Sequence, residues 1–300
     1  MDRYSPAFAP PLDSLHSMQS EQFQLHADIE HRHWWFVARR QILTSLVESV
    51  LPPSPETTIV DVGCGTGANL AGLADRYHCV GIDASSHAIR LARLRFPQVR
   101  FIHGLAPRDL GSDMDRARLV LLTDVLEHVP DDFALFSELL ASAQPGTYFL
   151  LTVPADLTLW SEHDQSFGHY RRYCMQRFEQ IWQGLAVKPL LASHYNSRLY
   201  PAVKLVRRWN RFRGRAAGAA GTDFVLPNRV INSLLANCFA GERRRLVRLA
   251  KGEQLPPYRS GVSLIALLQR EAGPVAPRQK PLDLPLDRYN PAAELVTAES

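Results

Sequence analysis

Only four cysteines occur in the 300 residues (Cys64, Cys79, Cys174 and Cys238), and no two form a Cys-x-x-Cys pair. That scarcity excludes a disulfide framework and a thiolate zinc site, and it fits reduced thiols in a cytoplasm. The closely spaced cysteine triplet of an iron–sulfur radical enzyme is missing as well. No uninterrupted apolar run reaches the length of about 18 residues that a membrane-spanning helix needs. The N-terminus shows no basic segment leading into an apolar stretch, so no signal peptide is expected, and no internal repeat is present.

Acidic residues are locally scarce. From Arg198 to Arg215 there are seven basic residues and no acidic one, and from Glu242 to Lys251 five basic and one acidic. With +7 and +4 in those segments and +4 overall, the rest of the chain carries −7. The basic stretch 199–213 is also amphipathic and aromatic, which suits peripheral contact with an anionic inner-membrane surface. Nucleic acid is not expected as a partner, because the body is acidic and no recognised RNA-binding module accompanies the charge.

What is present is an alternation of short apolar runs and helical segments. Strands are expected at Thr57–Asp61, His78–Asp83, Val99–His103, Leu119–Thr123, 147–153, 186–195 and Gly261–Arg270. Helices are expected at 21–51, 67–75, Ser85–Arg95, 131–143, 174–184, 198–213 and 228–250. The rhythm predicts an α/β fold, a doubly wound and mainly parallel sheet. Residues 21–53 would form a helical N-terminal cover, 54–197 the α/β core, and 198–270 a basic helical insertion plus the last strand. Residues 1–20 and 271–300, rich in proline and without periodicity, read as disordered.

In such sheets ligands bind beyond the carboxyl ends of the strands. There the chain places Asp61-Val62-Gly63-Cys64-Gly65-Thr66-Gly67, whose glycines allow a sharp turn and close approach to a ligand. The spacing also satisfies a loose dinucleotide pattern, leaving a nicotinamide-dependent NAD(P) oxidoreductase as an alternative. Asp61 argues against it, since a carboxylate two positions before the first glycine repels a pyrophosphate but tolerates a cationic sulfonium amino acid.

With these residues the chain resembles the class I S-adenosylmethionine (SAM)-dependent methyltransferase family, and the likeness continues in order over about 57–153. Asp83, ending Val80-Gly81-Ile82-Asp83, matches the position that holds the ribose hydroxyls in that family. Leu122-Thr123-Asp124-Val125-Leu126-Glu127-His128-Val129-Pro130 is similar to its fourth motif, and Gln144-Pro145-Gly146 to its turn before the next strand. The resemblance implies a Rossmann-like fold, SAM as cofactor, and contacts from Asp61, Gly63, Cys64, Gly65, Gly67, Asp83, Ala84, Thr123, Asp124 and Val125. One departure stands out. The family often has an acid for the adenine amino group after its third strand, and here the sequence is His103-Gly104-Leu105. Backbone and apolar contacts are expected instead, with no role for Asp109.

A second feature follows the fifth strand: Glu162-His163-Asp164-Gln165-Ser166-Phe167-Gly168-His169-Tyr170-Arg171-Arg172-Tyr173. Together with His33-Trp34-Trp35-Phe36 it resembles a methyltransferase subgroup associated with polysaccharide and glycolipid assembly. A small-molecule, lipid-linked or glycan-linked acceptor is implied, with oxygen the expected target atom. Asp164, Tyr170, Arg171 and Arg172 are candidates for binding it, the arginines suiting a carboxylate or phosphate. Methylation of an alcohol would need a general base, for which His128, His163 and His169 are the candidates, His128 first. No metal is expected. Spacing alone argues weakly for His163, Asp164 and His169 as ligands, and His31 and His33 do not share a helix face. A catalytically silent SAM-binding protein remains a further alternative.

Overall fold

The computed structural model describes residues 20–212 and 226–281. One sheet organises the chain, built from β1 (Ser54–Val62), β2 (Tyr77–Asp83), β3 (Arg100–His103), β4 (Ala117–Thr123), β5 (Tyr148–Pro154), β6 (Val187–Tyr195) and β7 (Ser263–Arg270). Its order is β3-β2-β1-β4-β5-β7-β6. β1 to β5 run parallel, and β7 is antiparallel to both its neighbours. The expected mainly parallel Rossmann-like sheet is therefore present.

Side chains on a strand alternate between faces, which splits the apolar residues of β1 and β4 between two cores. Ile59, Leu119 and Leu121 pack with Ile42, Leu46 and Phe239 on one face. Val60, Val120 and Leu122 pack with Phe136, Phe149 and Phe178 on the other. Because both faces are covered, the central strands read as nearly continuous apolar runs.

The helices are α1 (Ser20–Ile29), α2 (Trp34–Val50), α3 (Ala68–Ala71), α4 (Ser86–Arg95), α5 (Ser112–Arg116), α6 (Asp132–Ser142), α7 (Glu162–Ser166), α8 (Met175–Glu179), α9 (Tyr200–Phe212), α10 (Arg229–Ala240) and α11 (Arg243–Ala250). Two segments expected as single helices are broken. The N-terminal one divides at 30–33, where the His33 ring accepts from the Trp35 N–H and starts α2 afresh. The segment 228–250 divides at Gly241-Glu242. There the buried Glu242 carboxylate accepts from the backbone N–H groups of Ser197 and Arg198, both at 2.8 Å. The helix expected at 67–75 is a single turn, and that expected at 174–184 ends at Glu179. Conversely α7 lies in a stretch for which no helix is expected, its start held by a 2.9 Å bond from Ser161 N–H to Asp164.

Among the described residues no helix is long and apolar enough to cross a membrane. The expected disorder of 1–20 and of 271–300 falls largely outside the described residues, and 271–281 has no helix or strand.

Candidate active site

The carboxyl ends of β1, β2, β4 and β5 open into a cavity of about 840 Å³. Its floor is the glycine loop after β1. Gly63, Gly65 and Gly67 all have positive φ, at 67°, 53° and 85°. They differ in what surrounds them. A Cβ on Gly63 would sit 2.7 Å from Val125 Cγ2 and one on Gly67 2.6 Å from Phe101 Cζ, whereas one on Gly65 would meet nothing within 4 Å. Gly65 thus faces open cavity, while Gly67 is a packing glycine that does not line it.

Asp83 at the end of β2 fastens this loop. One carboxylate oxygen accepts from Gly65 N–H and the other from Ser85 N–H, each at 2.8 Å. Each oxygen keeps a lone pair for a ligand hydroxyl. Asp61 lies behind the loop, fully buried, and neither of its carboxylate oxygens has a hydrogen-bond partner. Burial pushes its pKa up to about 7, opposed by the charge of Arg39 and reinforced by that of Asp83. Beside Asp83 the cavity wall is Ala84, Gly104, Leu105 and Ala106. Asp109 closes the 104–109 loop by accepting from Leu105 N–H at 2.8 Å and pairing with Arg108, and it does not line the cavity.

The N-terminal cover is tied to this floor through buried polar contacts. Glu30 accepts from the Thr66 hydroxyl at 2.8 Å and pairs with Arg95. Arg39 of α2 pairs with Asp124 at 2.6 Å and lies 5.0 Å from the Trp35 ring centroid. Asp124 itself has φ 58°, held by its N–H bonding to Thr152 O at 2.9 Å and by the Thr152 hydroxyl. Trp34, Trp35 and Phe36 line the cavity, as do Thr123, Asp124 and Val125.

Against the cover, where His26 of α1 stacks on Phe167 at 5.2 Å, the turn after β4 and the loop after β5 converge. His128 and His169 meet edge to face with ring centroids 4.6 Å apart, and His163 lies 6.3 Å from His169. All three line the cavity, together with Glu127 and Arg172. Burial holds the His128 and His163 imidazoles well below their ordinary pKa, with His169 adding to the effect in both, so they are neutral. Asp164 accepts from Arg172 Nε at 2.8 Å and lies 3.0 Å from His169 Nδ1.

Three of the expected acceptor-binding residues have other work here. Asp164 is fully buried behind His169, with an oxygen turned to Arg172 rather than to the cavity. Arg171 is fully buried, and its guanidinium donates to the carbonyls of Leu126, Val129 and Pro130, so it clamps the turn that carries His128. Tyr170 donates its N–H to Glu127 O and does not line the cavity. Arg172 alone of that group reaches the wall, while its Nη1 donates to Ala155 O. Among the expected cofactor residues, Asp61 and Gly67 lie behind the loop and do not line the cavity.

Glu30, Arg39, Asn69 and Glu127 join the site without a part foreseen for them in the sequence. Asn69 accepts from Arg39 at 3.4 Å and donates to the Thr123 hydroxyl at 2.9 Å, bridging cover and core. The local signal for Glu127 is its place beside His128, just past a strand end. Glu30 and Arg39 carry none, because their partners are distant in sequence.

A methyltransferase-domain family model matches residues 30–198. The chain belongs to that family. It is similar to trans-aconitate 2-methyltransferases, at 32% identity over 109 residues in Azoarcus sp. strain BH72 and 36% over 110 in Variovorax paradoxus strain S110. These matches take in 35% and 34% of this chain, and 42% and 40% of those relatives. The chain thus matches about two fifths of their length. Among solved structures, the Haloferax volcanii methyltransferase complexed with the Trm112 activator aligns at TM-score 0.52 and 17% identity, over 85% of this chain and 95% of the other. The plantazolicin methyltransferase BpumL, solved with S-adenosylhomocysteine (SAH), aligns at 0.51 and 15%, over 84% and 90%. Both likenesses establish the Rossmann-like methyltransferase fold.

Proposed function

We propose that the protein is a SAM-dependent methyltransferase that methylates a hydroxyl oxygen of a small-molecule, lipid-linked or glycan-linked acceptor. The observation that carries the cofactor reading is an open Gly65 facing the cavity with a bare Asp61 carboxylate buried just behind the same loop. Those residues fit a ligand that brings positive charge close to the backbone. Asp83 has lone pairs for ribose hydroxyls, and Ala84, Gly104, Leu105 and Ala106 offer the adenine apolar contact and backbone groups. Thr123, Asp124 and Val125 flank the methionine end. Bound there, SAM supplies an electrophilic methyl group on its sulfonium.

The chain's own contribution is position and proton handling. In-line transfer gains most from holding the nucleophile against the methyl carbon, and the cavity wall offers Glu127, His128 and His169 for that purpose. An alcohol is a weak nucleophile until its proton is withdrawn, and a neutral imidazole is a suitable acceptor near pH 7. His169 is the better supported of the two, because Asp164 fixes its ring and can stabilise the imidazolium that forms. The aromatic cover of Trp34, Trp35 and Phe36 limits water at the reacting centre.

The lipid-linked option draws support from the basic, apolar helix α9, whose Val206 and Arg207 also line the cavity. On this reading the enzyme works in the cytoplasm and docks on the inner membrane surface.

Calorimetric titration of SAH into the wild type and into Asp83→Ala tests the cofactor reading, with NADH as control. Micromolar SAH binding that weakens at least tenfold in the variant is expected. NADH binding in place of SAH would mean a nicotinamide enzyme. Transfer of labelled methyl from SAM to an alcohol acceptor then separates a working enzyme from a silent SAM-binding protein.

A further inference from the structure

Glu127 has no function in a purely histidine-based proton transfer, yet it sits at the middle of the site. Its side chain is fully buried and neither carboxylate oxygen has a hydrogen-bond partner. An ionisable group kept bare in the interior is unfavourable unless something pairs with it. One donor atom each from Glu127, His128 and His169 lie within 4.8 Å of one another.

The His169 imidazole is also held from behind. His169 Nδ1 is 3.0 Å from Asp164 Oδ1, which leaves Nε2 for the centre. Asp164 is in turn fixed by Arg172 Nε at 2.8 Å and by Ser161 N–H at 2.9 Å. An imidazole with one nitrogen tied to a carboxylate or carbonyl and the other free is the arrangement found behind metal-ligating histidines.

We propose that Glu127, His128 and His169 hold a divalent transition cation, zinc or its chemical relatives, with an open coordination position facing the cavity. Two imidazole nitrogens and one carboxylate suit such a cation, whereas calcium and magnesium prefer oxygen donors throughout. Asp164 is excluded as a ligand by its place behind His169. Donors in a tetrahedral site with bonds of about 2.1 Å lie roughly 3.4 Å apart, so the three side chains draw inward when the ion binds.

This deepens the hydroxyl-methylation reading and rests on it, because it names what activates the acceptor. The open position takes the hydroxyl oxygen of the acceptor. The O–H bond breaks and its proton leaves to solvent, the oxygen's electron pair forms the new C–O bond, and the methyl–sulfur bond breaks to give SAH. No oxidant or reductant enters. With the ion in place His128 and His169 act as ligands, and an alcohol or hydroxy acid able to chelate through a neighbouring oxygen is the favoured acceptor class.

The test uses the full chain stripped with a chelator and titrated with Co2+, followed by visible absorption and calorimetry, with Zn2+ as competitor. One Co2+ per chain is expected, with visible d–d bands that Zn2+ abolishes. Glu127→Gln and His169→Ala should each weaken uptake at least roughly tenfold, and Glu127→Asp, which retains the carboxylate, should restore most of it. SAH titration of the same samples reports on the cofactor reading separately, so wild type that takes up Co2+ but not SAH would overturn that reading alone. Wild-type uptake no greater than that of the Glu127→Gln/His169→Ala double variant would overturn the metal site, and so would uptake that both single variants leave intact.

Discussion

Asp61 concentrates the electrostatics of the cofactor end in one group. Its carboxyl is raised to about 7 in the folded chain, from an ordinary value of 3.8. Folded protein therefore binds the extra proton between those values, and stability contributed by the neutral form declines as pH rises through that window. A cationic ligand favours the ionised form, so binding should release a proton. Affinity for SAM is accordingly expected to rise from pH 6 to pH 8 in the wild type. In Asp61→Asn it should be weaker and nearly flat with pH, while the apo form gains thermal stability above pH 7. Calorimetry in two buffers of different ionisation enthalpy would count the proton, and a wild-type profile as flat as the variant's would remove the argument. Gly63 makes the complementary steric case. Its φ of 67° and the 2.7 Å that would separate an added Cβ from Val125 Cγ2 leave no room for a methyl. Gly63→Ala should destabilise by about 1–3 kcal/mol, whereas Gly65→Ala, whose Cβ would point into the cavity that the cofactor fills, should lower SAH affinity more. Urea unfolding and SAH titration of the pair separate strain from occlusion.

At the scale of elements, what the sequence made legible follows locality. The central strands β1, β2, β4 and β5 were readable because both faces are covered and each carries a short apolar run that stops at glycine, aspartate or proline. The loop from Asp61 to Gly67 and the turn from Thr123 to Val129 were readable because their chemistry is contiguous. What escaped was long-range. The break between α10 and α11 depends on Glu242 meeting Ser197 and Arg198, some 45 residues earlier. Nothing within 228–250 marks it beyond one glycine. The double arginine, in which Arg171 clamps carbonyls while Arg172 holds Asp164, likewise depends on partners the sequence does not pair. Glu242→Ala takes away the charged acceptor of the Ser197 and Arg198 N–H groups, and should cost about 1–3 kcal/mol in urea unfolding. SAH affinity should change little, because Glu242 does not line the cavity. A variant as stable as the wild type would mean the break between the helices has another cause.

The whole molecule is asymmetric in what it exposes. Of the large apolar side chains left exposed among the described residues, all but Leu94 lie on α9, on α10 or at Leu226 just before it. Leu205 is 70% exposed, Val230 71% and Leu234 64%. Lone apolar residues on a surface need no explanation, but clustering on the two helices that also contribute Val206 and Leu235 to the cavity wall does. The surrounding charge is positive, since the stretch from Arg198 to Arg215 has seven basic residues and no acidic one. Apolar side chains among cations fit an anionic bilayer surface better than they fit water, and they would bring the cavity to a lipid-linked acceptor. Two contributions with different salt dependence should then add. Coulombic attraction falls as the Debye length shrinks from about 10 Å at 0.1 M salt to about 3 Å at 1 M, while apolar insertion persists. Wild-type protein is expected to co-sediment with anionic vesicles at low salt and only partly release at high salt. Leu205→Glu/Val230→Glu/Leu234→Glu should release completely, yet bind SAH as the wild type does. Wild type that stays in the supernatant with anionic vesicles at low salt would detach the site from the membrane and leave a freely diffusing acceptor as its substrate.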